Sequence, residues 1–410
     1  MEALFTQALG LAPPWAVESF TFSPEASRID FHVVCRAQRM NCPKCGQADQ
    51  PIHDRIERTW QHLNFFQFKA FIRAELPRVA CSGCGKTSQV EAPWSRPGSG
   101  FSLLMEAFIV ALCREMPMAV VARLVGVSAE RVARALDYHV EQARARECHA
   151  GVTRVAVDER SARRGQRFLT LFHDADTRRL LFATPGRNAA TFAAFAADFD
   201  AHGGQVDGIQ TVSIDMSKAY QAGARQHCPN ARLSFDPFHI VALAHVALDE
   251  VRRAEVKQQP DLKGIRWATL KDAANWNGEQ VTLMHYLQRS TLKTARAWRM
   301  KEALRAMFRS VSEPAHADRE LQRWIGWALR SRLAPFKRLA KTLREHRDGI
   351  VEHFRSSLSN GFVEAMNGLI QAAKSRARGY ATDRRLITMC YLLCGKLKYL
   401  PKNPLIHVAA

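Results

Sequence analysis

Two short apolar runs in this chain each stop at a carboxylate. Val155-Ala156-Val157 leads into Asp158, and Val212-Ser213-Ile214 leads into Asp215. Short apolar runs bounded by polar residues read as buried strands, so both aspartates stand at strand ends. A third acid, Glu364, sits far along the chain, just inside a helix expected after Ser359-Asn360-Gly361. A helix crossing those strand ends would bring three carboxylates to one point. Such carboxylates repel one another unless cations lie between them. Hard cations such as magnesium take oxygen ligands and suit phosphate chemistry, and a pair of them can clamp both the attacking and the leaving oxygen of a phosphate displacement.

The elements around these acids have a definite order. Strands are expected at 153–157, at 166–173 after the basic turn Arg163-Arg164-Gly165, and at 179–184. A helix follows at 188–201, then a strand at 212–214, a helix at 217–227 and a strand at 232–235 that closes on Asp236. Three strands in hairpin order followed by alternating helix and strand is the order of an RNase H-like fold. In that fold the strands of Asp158 and Asp215 are neighbours, and sites in mixed sheets gather at strand ends. Between Asp236 and Glu364 the chain is basic and almost wholly helical, with helices expected at 239–257, 278–308, 319–329 and 333–346. This segment reads as a helical insertion. Its tryptophans, Trp267, Trp276, Trp298, Trp324 and Trp327, are expected in its core rather than as base-stacking platforms.

Two cysteine knuckles lie near the N-terminus, Cys42-Pro43-Lys44-Cys45-Gly46 and Cys81-Ser82-Gly83-Cys84-Gly85. Both sulfurs of such a knuckle can reach one tetrahedral zinc, and four thiolates leave no open position for catalysis. Cys42, Cys45, Cys81 and Cys84 are therefore expected to hold one structural zinc, with a β-hairpin built from 58–63 and 65–72 between the knuckles. His53 and His62 are close in sequence but not needed. Cys35, Cys113, Cys148, Cys228, Cys390 and Cys394 read as buried apolar residues.

A helix-turn-helix is expected next. After a helix at 101–113, Ala122, Gly126 and Val132 fall where that motif needs a small residue, a turn and an apolar anchor. Ser128 would cap the second helix. Arg131 and Arg134 would lie on its exposed side, the side that enters the major groove.

Hydrophobic residues make up 47% of the 410, enough for a sizeable core, and the formal net charge is +20. A balance that basic favours a polyanionic partner, above all nucleic acid. No secretory signal is visible, no apolar run approaches the ~20 residues of a membrane helix, and ten cysteines without a signal read as reduced thiols or metal ligands. A cytoplasmic protein is expected.

Several motifs resemble those of the ISL3 family of bacterial insertion-sequence transposases: Val157-Asp158-Glu159, Ser213-Ile214-Asp215-Met216-Ser217, Phe235-Asp236-Pro237-Phe238-His239 and Ser359-Asn360-Gly361-Phe362-Val363-Glu364-Ala365-Met366-Asn367. The resemblance spans nearly the whole chain, including the zinc module, the helix-turn-helix and Arg376-Ala377-Arg378-Gly379-Tyr380. It implies a DDE transposase that binds terminal inverted repeats and catalyses metal-dependent strand cleavage and strand transfer. Asp158, Asp215 and Glu364 would be its triad, holding two magnesium or manganese ions. Transposon ends and target DNA would be its partners, a homo-oligomer would form the synaptic complex, and the nucleoid would be its place in the cell. The family usually has a glycine after the glutamate, where this chain has Ala365, a residue that suits a helix. Asp236-Pro237-Phe238-His239 resembles an acid-x-x-His motif of related transposases, in which His239 would hydrogen-bond the scissile phosphate or leaving oxygen. A buried, satisfied histidine opening a helix is an equal alternative for His239. Asp236 is a rival ligand, and Glu159 should point away from Asp158 by strand alternation.

The expected architecture is multidomain α/β: a zinc ribbon-like module at 1–97, a helix-turn-helix region at 98–150, an RNase H-like core at 151–258 and 351–400, and the helical insertion at 259–350. The alternatives are a catalytically silent, transposase-derived DNA-binding regulator and a junction or RNase H-type nuclease. Dedicated DNA readers upstream argue against the nuclease.

Overall fold

The computed structural model describes residues 1–163, 167–358 and 361–406, and the chain divides into two compact units. Arg164 and Gly165 of the expected basic turn, and Ser359 and Asn360 of the acidic motif, lie outside the described residues.

The first unit comprises Met1–Arg144, with Arg376–Arg378 and the residues from Leu397. It opens with α1 (Glu2–Ala8) and a six-stranded sheet: β1 (Trp15–Ser23), β2 (Arg28–Cys35), β3 (Arg39–Met40), β4 (Gln50–Gln61), β5 (Lys69–Ala80) and β6 (Thr87–Gln89). The order is β1-β2-β5-β4-β3, with β6 on β5. The hairpin between the knuckles is β4–β5, antiparallel with Trp60 opposite Ile72. It is longer than its central sequence pattern indicates. β2 joins β5 in parallel, Phe31 opposite Ile72, so strands formed ahead of the first knuckle complete the sheet. Ala70, Ile72, Ala74 and Leu76 alternate along β5 and bury one face against Trp15, Phe31, Trp60 and Trp94.

Three helices follow, α2 (Leu103–Glu115), α3 (Met118–Val125) and α4 (Ala129–Arg144). Val121, Ala122 and Val125 of α3 and Val132, Ala133, Ala135 and Leu136 of α4 are buried. Glu106 of α2 is fully buried but paired. It accepts from Arg96 Nε at 2.9 Å and Ser99 Oγ at 2.6 Å, and lies 2.7 Å from His139 Nε2 of α4. A buried carboxylate is tolerated only when matched in this way, so the cluster fixes α4 against α2.

The second unit comprises Ala145–Ser375 and Gly379–Lys396. Its first elements are β7 (Arg154–Arg163), β8 (Arg167–Asp174), β9 (Arg179–Pro185), α5 (Ala190–Ala201), β10 (Thr211–Ile214), α6 (Lys218–His227) and β11 (Arg232–Phe235). The sheet order is β11-β10-β7-β8-β9. β7, β8 and β9 form an antiparallel meander, while β10 and β11 run parallel to β7. Val155, Ala156 and Val157 are all buried, as a strand covered on both faces requires. Phe192, Phe195 and Phe199 of α5 fill one side, and Phe195 stacks on Phe172 with ring centroids 4.3 Å apart.

The remaining helices are α6's successors α7 (Pro237–Val256), α8 (Arg266–Leu270), α9 (Gly278–Arg289), α10 (Lys293–Ser310), α11 (Pro314–Arg330), α12 (Ala334–Glu345), α13 (Arg347–Ser356), α14 (Gly361–Arg376) and α15 (Asp383–Cys394). The single helix expected at 278–308 is two. Glu255, from the end of α7, accepts the backbone N–H groups of Lys293 and Thr294 at 2.8 and 2.7 Å. That carboxylate caps α10 from another part of the chain. The tryptophans also divide. Trp324 is buried and donates to Met300 O at 2.8 Å, whereas Trp267 is 62% exposed. Cys148 is exposed too, contrary to its reading as a buried thiol.

Candidate functional site

The two knuckles come together. The sulfurs of Cys42, Cys45, Cys81 and Cys84 all lie within 4.8 Å of one another. Each loop is closed by a glycine whose N–H returns to the first cysteine's carbonyl, Gly46 to Cys42 and Gly85 to Cys81, both at 3.0 Å. Their φ values of 74° and 65° suit glycine and strain other residues. Backbone N–H groups of Cys45 and Lys44 point at the Cys42 sulfur and lower its thiol, while the neighbouring sulfurs raise that of Cys45. Four converging sulfurs match what zinc requires.

In the helix-turn-helix, Gly126 makes the turn and Ser128 Oγ accepts the Arg131 N–H at 3.3 Å. The two arginines of α4 differ. Arg134 is exposed. Arg131 is half-buried, donating to Gly100 O at 3.2 Å with its guanidinium 4.3 Å from the Phe101 ring centroid. The capped start of α4 turns this side chain back onto the segment preceding α2, so Arg131 has a structural task that its helical spacing did not disclose.

The carboxylates are brought together by strand register. Ser213 of β10 pairs with Ala156 of β7, and Ile214 pairs with Phe235 of β11. Continued by one or two residues, these ladders align Asp158, Asp215 and Asp236 at the same end of three neighbouring strands. Glu364 stands in the first turn of α14, exposed. Three residues on, and so on nearly the same helix face, the Asn367 amide donates to Asp158 Oδ2 at 2.6 Å. Asp158 Oδ1 accepts the Glu159 N–H at 2.8 Å, and Asp215 Oδ1 accepts that of Ser217 at 2.9 Å. His239 Nε2 lies 3.9 Å from Asp158 Oδ1 and 4.0 Å from Asp236 Oδ2. Asp236 is buried and caps α7, accepting the Phe238 N–H at 3.1 Å.

The electrostatics record the crowding. Burial raises the Asp158 carboxyl above its ordinary value; the Glu159 N–H, His239 and Asn367 oppose that, and Asp215 adds to it. Glu364 is raised by burial and then by the charges of Asp236 and Asp158. Glu159 is raised by burial and by Asp215 and Asp158. Strand alternation sets the face of Glu159 but does not remove it from their field, since Coulomb coupling falls only slowly with distance. Among the described residues, the only sets of three or more potential ligands within 4.8 Å of one another are the cysteine quartet and His149–Asp198–His202. Asp158, Asp215 and Glu364 therefore form a more open arrangement than one coordination sphere. Beside Asp236 and Glu364 opens a cavity of roughly 600 Å³ lined by Phe238, His245, Arg305 and Phe308.

Comparison with known proteins follows the same division of the chain. Residues 155–390, more than half of it, match the DDE domain of the ISL3 transposases, described as transposase. The chain belongs to the ISL3 family of transposases. Residues 90–140 match the helix-turn-helix domain of transposase family ISL3, and residues 38–84 match the zinc-finger of transposase IS204/IS1001/IS1096/IS1165. The chain is 28% identical to the transposase for insertion sequence element IS1557 of Mycobacterium tuberculosis, over 97% of each chain. It is 24% identical to the transposase for insertion sequence element IS1001 of Bordetella parapertussis, over 91% of this chain and 94% of that one.

The protein is thus a DNA-cleaving enzyme of this family, with a zinc ribbon, a DNA-binding helix-turn-helix and a DDE domain in that order. The cysteine quartet fits the zinc of the ribbon, and the DDE domain implies a divalent metal. The reading as a catalytically silent regulator is not favoured. Among the described residues no helix is long and apolar enough to cross a membrane.

Proposed function

We propose that Asp158, Asp215 and Glu364 are the catalytic carboxylates of an RNase H-like core, and that together they hold two magnesium or manganese ions. One observation carries the reading: the β7, β10 and β11 ladders align their terminal acids, and Asn367 ties the helix of Glu364 to Asp158. The sheet order β11-β10-β7-β8-β9, an antiparallel meander joined to two parallel strands, agrees with such a core. When bound, the cations supply positive charge to the attacking and leaving oxygens of the phosphate displacement.

The residues themselves have distinct tasks in this reading. Asp158 is oriented by the Glu159 N–H and the Asn367 amide, and Asp215 by the Ser217 N–H. Glu364, exposed at the start of α14, closes the site. His239, within 4 Å of both Asp158 and Asp236, is positioned to donate a hydrogen bond to the scissile phosphate. Asp236 serves α7 as its cap and adds negative charge at Glu364.

DNA is proposed to be read by α4 in the major groove, with Arg134 as the foremost base-contacting candidate and Arg131 supporting the helix as well as reaching for DNA. The sites recognised would be terminal inverted repeats, and target DNA would be the second partner. The protein would act as a homo-oligomer in the synaptic complex, in the cytoplasm at the nucleoid. The segments 1–97, 98–150, 151–258, 259–350 and 351–400 are the functional division we infer. The test is Asp215→Asn with labelled transposon ends: strand cleavage and joining should be lost while end binding persists. A variant that cleaves at the wild-type rate would remove Asp215 from the triad.

A further inference from the structure

His149 is 3% exposed, and among the described residues neither of its ring nitrogens has a hydrogen-bond partner. Buried polar groups in native proteins are normally matched, so this imidazole calls for an account. His149 lies just before β7, the strand of Asp158, and reaches the end of α5, where its backbone N–H donates to His202 O at 2.9 Å. The two imidazoles stack at a centroid distance of 4.9 Å and an interplanar angle of 21°. One ligand-capable atom each from His149, Asp198 and His202 lie within 4.8 Å of one another. His202 Nδ1 lies 2.7 Å from Asp198 O and 3.5 Å from Asp198 Oδ2.

Arg179 lies close enough to act on His149 electrostatically. Arg179 is itself compensated by Glu147 at 2.9 Å and Asp174 at 3.7 Å. Cys148, exposed beside His149, has its sulfur engaged with the Ala150 N–H at 3.4 Å and lies outside the cluster.

We propose that His149, Asp198 and His202 form a second zinc site, separate from both the cysteine quartet and the carboxylate triad, with three protein ligands and the fourth position left open. Two imidazoles and a carboxylate are borderline donors that select zinc over magnesium or calcium. Zinc–ligand bonds of about 2.0–2.1 Å in tetrahedral array put ligand atoms about 3.4 Å apart, so the set must draw in from its present separations to bind the ion. The site would staple the segment feeding β7 to the end of α5. It is independent of the catalytic reading.

The experiment is the zinc content of the full-length chain by elemental mass spectrometry, purified without chelator and dialysed against zinc-free buffer. The wild type should carry two zinc ions. His149→Phe keeps a stacking ring but removes both donors, and should carry one. His202→Gln, at the half-exposed end of the cluster, should also carry one, and gives the reading from a second position should His149→Phe fail to fold. Cys42→Ser should lose the other ion and retain this one. A wild-type stoichiometry of one, or two ions retained in a folded His149→Phe or His202→Gln chain, overturns the proposal.

Discussion

The side-chain amide of Asn367 donates to Oδ2 of Asp158 across 2.6 Å, although the two residues are 209 positions apart. This one bond joins the helix of Glu364 to the strand of Asp158 and orients the aspartate for its proposed task. Partners of this kind around metal ligands typically change metal affinity or activity by about 10–100-fold when removed. Asn367→Ala should therefore slow strand cleavage by about that factor and raise the magnesium concentration needed for half-maximal rate. A lower rate with an unchanged magnesium requirement would assign Asn367 to packing alone.

The recognition helix offers a test of its two arginines. Arg134 is exposed, whereas Arg131 is engaged with Gly100 and Phe101. Arg134→Ala should reduce discrimination between transposon-end and random duplexes by about 1–3 kcal/mol, the worth of a good base contact. Arg131→Ala should also lower the melting temperature, since it releases α4 from its support. Equal losses on both duplexes for Arg134→Ala would mean that it contacts phosphate only.

The cysteine quartet should be necessary for the ribbon to fold. Replacing Cys42, whose sulfur receives two backbone N–H groups, with serine should release the ribbon's zinc, expose β4 and β5 to proteolysis and weaken end binding. The DDE domain should remain folded. Limited proteolysis with peptide mapping reads all of this. A resistant ribbon in the variant would show that the sheet core around Ile72 and Trp60 suffices without metal.

Charge crowding should be visible as stability. Asp158 and Glu364 have pKa values raised above 3.8 and 4.5. Between those ordinary values and the raised ones the folded protein binds more protons than the unfolded chain, so their contribution to stability falls as pH rises through that window. At neutral pH the cost of burying these charges, to which like-charge repulsion adds, is fully expressed. Asp158→Asn should then melt about 1–3 °C higher than wild type in excess chelator, with the gain shrinking as pH falls through the raised Asp158 value toward 3.8. Carboxylates with lowered values, such as Asp30 and Glu106, are common to both proteins and cancel in the difference. Magnesium should cancel or reverse the gain by binding the wild type. A gain unaffected by pH and by magnesium would rule out relief of like-charge repulsion as its source.

The strand ends were legible because they depend on local pattern. Apolar runs mark β7 and β10, Ser128 marks the start of α4, and two glycine-ended knuckles mark the cysteine quartet. What escaped the sequence depends on contacts between distant residues. The break between α9 and α10 is made by Glu255, far upstream. The parallel pairing of β2 with β5 needs a crossover that no local signal announces. Arg131 turns inward because Phe101 lies beneath it, and Asn367 was one residue of a motif until Asp158 appeared as its partner. Spacing three residues after Glu364 was the available signal, since it places both side chains toward one helix face.

In the proposed mechanism Glu364, from α14, acts with Asp158 and Asp215 on divalent cations to cut DNA. Glu364 is exposed at the start of its helix, so Glu364→Gln should fold as the wild type does. The decisive measurement is the rate of strand cleavage by Glu364→Gln on a labelled transposon end, at saturating magnesium or manganese, beside the binding constant for the same DNA. The account predicts cleavage reduced by about three orders of magnitude or more, the loss expected for a group acting in the transition state, with binding unchanged. Cleavage near the wild-type rate, or cleavage that persists in excess chelator, would contradict it.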